Sequence, residues 1–111
     1  MRCPFGFIYC EKGGYIMWDN IIVENSIGSE DGIVLRDEEY ANSCRITLEK
    51  CPKRYAITCG VYGSMVHTVF CGEDFENIYE AMKKELKEFI DRGDTTEEEN
   101  TQFYDYFTNK F

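Results

Sequence analysis

Histidine occurs once in this 111-residue chain, proline twice, and lysine and arginine together only 12 times against 21 acidic residues. Each scarcity closes off a class of function. A formal charge of −9 is the wrong sign for nucleic acid, because protein affinity for it comes mostly from Lys and Arg on phosphates. It disfavours anionic membrane surfaces for the same reason. No apolar run approaches the roughly 18 residues of a membrane-spanning helix. One imidazole, His67, and six cysteines without a C-x-x-C pair (Cys3, Cys10, Cys44, Cys51, Cys59 and Cys71) offer no close ligand pair to a zinc ion. Neither a metal nor a cofactor is expected.

The first ten residues carry one arginine and neither a long apolar core nor a small-residue cleavage site, so no secretory leader is read. No Asn-x-Ser/Thr acceptor occurs. A cytoplasmic chain is therefore expected, its cysteines reduced and serving mostly as small buried hydrophobes.

Against these absences stand 43% hydrophobic and 15% aromatic residues, enough for one core in a single domain spanning residues 1–111. Their spacing sets the architecture. Phe75, Ile78, Tyr79, Met82, Leu86, Phe89 and Ile90 recur every three or four residues, which predicts a helix over 74–92. Asp74 suits its N-cap and Gly93 its left-handed C-terminus. Thr95-Thr96 followed by three glutamates predicts a second, shorter helix.

Upstream the period changes to two. Cys44, Ile46 and Leu48 alternate with Arg45, Thr47 and Glu49, a half-buried strand, and Cys51-Pro52-Lys53-Arg54 reads as the turn after it. Residues 55–62 and 65–71 flank Gly63-Ser64, a two-residue type II′ hairpin signal. That turn sets Gly60 opposite His67 and Cys59 opposite Thr68, leaving Cys59 and His67 on different faces. Further hairpin strands are expected within 5–10 and 15–24, and a short one at 33–35. The acidic run Asp37-Glu38-Glu39 is expected to begin a turn. The predicted fold is α+β: an antiparallel meander of about five strands covered by one long helix in the C-terminal half and a short terminal helix.

Chemistry-bearing signals are sparse. Gly60 and Gly63 punctuate a hairpin rather than lead into a helix, so they do not form a phosphate loop. Glu30-Asp31, Asp37–Glu39 and Glu97–Glu99 are consecutive, whereas calcium loops alternate their ligands. A cysteine nucleophile would need a neighbouring base, which the expected faces withhold.

Two readings remain. A non-catalytic protein-interaction or regulatory module, self-associating as a homodimer or meeting a protein partner, would use the aromatic tail Phe103, Tyr104, Tyr106, Phe107 and Phe111. Those rings could equally pack inside the domain. The alternative is a small-molecule binder or small enzyme using a depression around His67, Gly60 and Tyr62, with Thr58 and Met65 beside it. Catalysis is the less expected of these.

Overall fold

The computed structural model describes residues 17–21 and 26–111, together with the strand residues Ile8–Tyr9 and Gly14–Tyr15. The last two, β1 and β2, pair antiparallel as a small ladder of their own. The main sheet follows in chain order: β3 (Trp18–Asn20), β4 (Ile33–Tyr40), β5 (Cys44–Lys50), β6 (Tyr55–Val61) and β7 (Met65–Cys71). Every neighbour is antiparallel, so the sheet is an uninterrupted five-stranded meander. Helices α1 (Phe75–Asp91) and α2 (Glu97–Lys110) complete the α+β fold.

Alternation in β5 decides which face the helices cover. Cys44, Ile46 and Leu48 point to one side, where they meet Ile57 and Cys59 of β6 and Tyr79, Met82 and Leu86 of α1. Fully burying a side chain such as Leu86 contributes about 1.5–3 kcal/mol, so this apolar stripe is what fixes α1 to the sheet. Helix α2 folds back antiparallel to α1: Phe103 stacks on Phe89 at 4.1 Å, and Lys110 pairs with Glu85 at 2.7 Å. Thr96 and Glu99 form a reciprocal capping box at its start, the threonine cap that the sequence predicts. Gly93, with φ of 80°, terminates the preceding helix as expected. Asp74 precedes α1 but its side chain makes no capping bond.

Three expectations need correction. Asp37–Glu39 is not a turn but the centre of β4, an eight-residue strand. Each acid finds a distant partner: Asp37 takes Arg45, Glu38 takes Tyr79 and Lys83, and Glu39 takes Tyr62. The turn falls instead at 41–43, where Ala41 and Asn42 have positive φ. Within 15–24, β3 is shorter than the expected strand, and residues 22–25 lie outside the described residues.

The third correction concerns the β6–β7 hairpin. Its loop has three residues, Tyr62-Gly63-Ser64, closed by the pair Val61 and Met65. Gly63 takes φ of 77° and Ser64 N donates to Val61 O at 3.0 Å, a wider loop than the two-residue turn that Gly-Ser suggests. The register therefore moves by one residue, and every β7 side chain changes face. His67 now sits opposite Cys59, and Thr68 opposite Thr58.

Candidate functional site: a cavity on the sheet face opposite the helices

On the face that α1 and α2 do not cover, the register brings Asp37, Thr47, Thr58 and Thr68 into one row across β4 to β7. Arg45 lies one pleat along the same face. Its Nε and Nη2 donate to Asp37 Oδ1 and Oδ2 at 2.9 and 2.5 Å, and Thr47 Oγ1 donates to Oδ1 at 3.0 Å. The Asp37 carboxylate is fully buried while the Arg45 side chain is 37% exposed. That asymmetry has a use: the acid is an anchor, and the guanidinium is its exposed end. The bond to Asp37 holds the Arg45 guanidinium above its ordinary range, with burial acting against it.

Asp37, Arg45, Thr47 and Thr58 line a cavity of about 590 Å³. Val34 and Val66 supply apolar surface, and Thr58 and Gly60 form part of the lining on β6. The Thr58 and Thr68 hydroxyls lie 3.1 Å apart. A Cβ on Gly60 would collide with the Met65 carbonyl, so glycine is what allows the hairpin end to close over this part of the lining. Tyr62 reaches across to donate to Glu39 at 2.5 Å. Burial, reinforced by that carboxylate, pushes its phenol up to about 12.

The opposite rim is the segment 27–29, and a buried charge holds it in place. Glu49 belongs to the polar alternation of β5, yet it is 0% exposed. Its Oε1 accepts from the Glu30 and Gly32 amides, each at 3.1 Å, and Oε2 lies 3.5 Å from Ser29 Oγ. A Cβ on Gly28 would overlap the Glu49 carboxyl group. The loop is thus folded around one carboxylate, as buried charges require compensating donors.

Of the five residues expected at a depression, Thr58, Gly60 and Tyr62 line this cavity, while Met65 borders it at the hairpin end with its side chain buried in the helix-side core. His67 does not line it. The register shift turns it to the helix side, where it meets the Phe107 ring edge-on at 6.1 Å and its Nε2 is buried with no hydrogen-bond partner among the described residues. The same shift brings Cys59 and His67 onto one face, contrary to the expected separation. Adjacency does not make a nucleophile, however. Burial pushes the Cys59 thiol up to about 12, and Cys44 likewise, so both remain protonated near neutrality.

The tail is used internally. Phe103 and Phe107 are buried, Tyr104 and Phe111 are half-buried, and Tyr106 is 48% exposed. Among the described residues no cluster of His, Cys, Asp and Glu could hold a metal ion, and no helix is long and apolar enough to cross a membrane.

In the sequence Asp37 stands out only as part of an acidic run, and Arg45 and Glu49 are not among the candidate site residues. Arg45 and Glu49 are legible as the polar half of a β5 alternation, but nothing local marks them as buried-network residues. Comparison with protein-family models, curated proteins and solved structures finds no match to this chain.

Proposed function

We propose that this chain is a non-catalytic binding module that takes a small molecule into the cavity beside Arg45. The observation that supports this is a prebuilt polar network, Asp37–Arg45–Thr47, on one wall of an otherwise largely apolar hollow. Ligand sites are commonly clefts of about 300–1,000 Å³ with a few placed polar groups in an apolar lining. Arg45 spends Nε and Nη2 on Asp37, and its third nitrogen can donate to a carbonyl or carboxylate oxygen of a bound molecule. The chemistry suits a mostly apolar ligand with one acceptor head.

Protonated, buried thiols argue against nucleophilic catalysis by Cys44 or Cys59. The unpaired Cys44, Cys51, Cys59 and Cys71 fit a reducing compartment such as the cytoplasm, our proposed location. Its charge of −9 argues against a nucleic-acid ligand. The rival reading, a protein-interaction or regulatory module, draws its support from the β7 edge rather than from the aromatic tail.

The test uses 8-anilinonaphthalene-1-sulfonate, an apolar probe with an anionic head, followed by amide chemical shifts. The expected result is perturbation centred on Thr47, Thr58, Gly60 and Ser64, abolished by Thr58→Phe, which fills the cavity. His67→Ala should leave binding intact, because His67 lies on the opposite face. Unchanged probe binding in a folded Thr58→Phe variant would refute the proposal.

A further inference from the structure

The two edges of the main sheet are protected very differently. One edge, β3, has three residues and carries Asp19. The other, β7, runs for seven residues, Met-Val-His-Thr-Val-Phe-Cys, with no Lys, Arg, Asp, Glu, Pro or Gly. Among the described residues it pairs only with β6. Natural edges are normally blunted by charge, proline, bulges or brevity, because an open strand is a template for another strand. In a chain with 30% charged residues, this edge has none of those devices.

Ladder geometry determines which groups face outward. Paired residues in an antiparallel ladder alternate between those that exchange backbone bonds and those whose amides point away. The Ser64–Val61 bond closing the hairpin and the close Thr58 and Thr68 hydroxyls place Thr68 at a non-bonded position of the β6–β7 ladder. Its N–H and C=O, with those of Val66 and Phe70, are therefore directed at the open edge. Val66 is 79% exposed and Phe70 is 43% exposed, both on the face that carries the cavity.

We propose that β7 pairs antiparallel with β7 of a second copy about a two-fold axis at Thr68, merging the two meanders into one continuous sheet. The strand is self-complementary in that register. Thr68 meets Thr68, extending the row of Thr47, Thr58 and Thr68 across the axis, and Val66 meets Phe70 on both sides. All three outward-facing residues exchange bonds, about six in total. The largely open Val66 of one copy covers the part of the partner's Phe70 that Arg54 leaves exposed, in keeping with the stabilising effect of aromatic and β-branched cross-strand pairs. β7 itself carries no charge, and the nearby Arg54 guanidinium is engaged over the Phe70 ring at 3.8 Å, so an unrelated peptide finds little to select it, whereas a second copy meets its own pattern. Val66 also lines the cavity, so Phe70 of the partner subunit would stand beside its lip. The pairing does not depend on that cavity being a ligand site.

Sedimentation of the full chain from micromolar to millimolar concentration, combined with amide hydrogen exchange, tests this. The expected result is a dimer in which the Val66, Thr68 and Phe70 amides become protected as concentration rises, while the His67 and Val69 amides are protected throughout. Val66→Pro removes one outward N–H per copy without touching the β6 ladder, and proline is tolerated at such edge positions. Symmetry doubles the loss to two bonds, so the dissociation constant should rise about thirtyfold. Val66→Lys, which leaves the backbone donors of β7 in place, repeats the test if the proline disturbs the hairpin. A chain that stays monomeric, whether or not it captures strands of other proteins, overturns the proposal. A dimer unaffected in both variants, or one without edge protection at Thr68, overturns it equally.

Discussion

Removing the Glu49 carboxylate should release the 26–32 loop and lower stability by an amount that separates charge from hydrogen bonding. In Glu49→Ala the Glu30 and Gly32 amides lose their shared acceptor, and Gly32 is buried. Hydrogen bonds to charged groups contribute about 1.5–3 kcal/mol each. The Glu30 amide can recover water because its residue is exposed, while the Gly32 amide would be left unsatisfied. With the small void left by the side chain, a loss of about 3–4 kcal/mol follows. Glu49→Gln keeps one carbonyl oxygen where Oε1 stands and turns its amide group toward Ser29, so it should cost only about 1–2 kcal/mol. At roughly 4 °C per kcal/mol for a chain of this size, melting should fall by about 12–16 °C and 4–8 °C respectively. Calorimetry gives these values, and amide exchange at Glu30 and Gly32 reports the loop directly. Equal losses in the two variants, or unchanged exchange at Gly32 in Glu49→Ala, would refute the view that one carboxylate organises this rim.

Other consequences can be checked with standard assays. Phe107→Ala should destabilise the protein by about 3–5 kcal/mol, because Phe107 is 0% exposed; a change below about 1 kcal/mol in denaturant unfolding would mean α2 is not docked as described. Native alkylation followed by mass spectrometry should label Cys51 before Cys44 and Cys59, whose thiols are buried and pushed up to about 12; equal labelling rates would contradict that burial. Lys110, assisted by Tyr106 and opposed by burial, holds Glu85 below the ordinary carboxylate range. A depressed folded-state value stabilises above the unfolded one, so this contribution is complete near neutrality and is lost as pH falls through roughly 4 and below. Thermal unfolding across that window should be less acid-sensitive in Glu85→Gln than in the parent, and identical profiles would remove Glu85 from the account.

Local pattern was sufficient wherever partners lie close in sequence. The helical spacing of Phe75 to Ile90, the Thr96–Glu99 cap and the alternation of β5 each involve residues a few positions apart, so the α+β meander is readable from the chain alone. The β6–β7 hairpin was readable as a hairpin, but Gly63-Ser64 is compatible with loops of two or three residues. One residue of loop length moved His67 from the expected depression to the helix face. Thr58 and Gly60 stay on the cavity face because they belong to β6, Tyr62 borders it from the hairpin loop, and the Met65 side chain goes with His67 into the helix-side core.

What tertiary structure alone decided is the fate of charge. Asp37, Glu38 and Glu39 look like a solvated turn, since three adjacent acids have no reason to form a strand by themselves. They do so because Arg45, Tyr79, Lys83 and Tyr62, between 8 and 45 residues distant, arrive to neutralise or hydrogen-bond them. Glu49 looks like an exposed strand residue and is buried because a loop folds its amides onto the carboxylate. Apolar periodicity is written along the chain, since every apolar residue seeks the same low-dielectric interior. A buried charge depends on which specific donor reaches it, and that is settled only when the sheet has assembled.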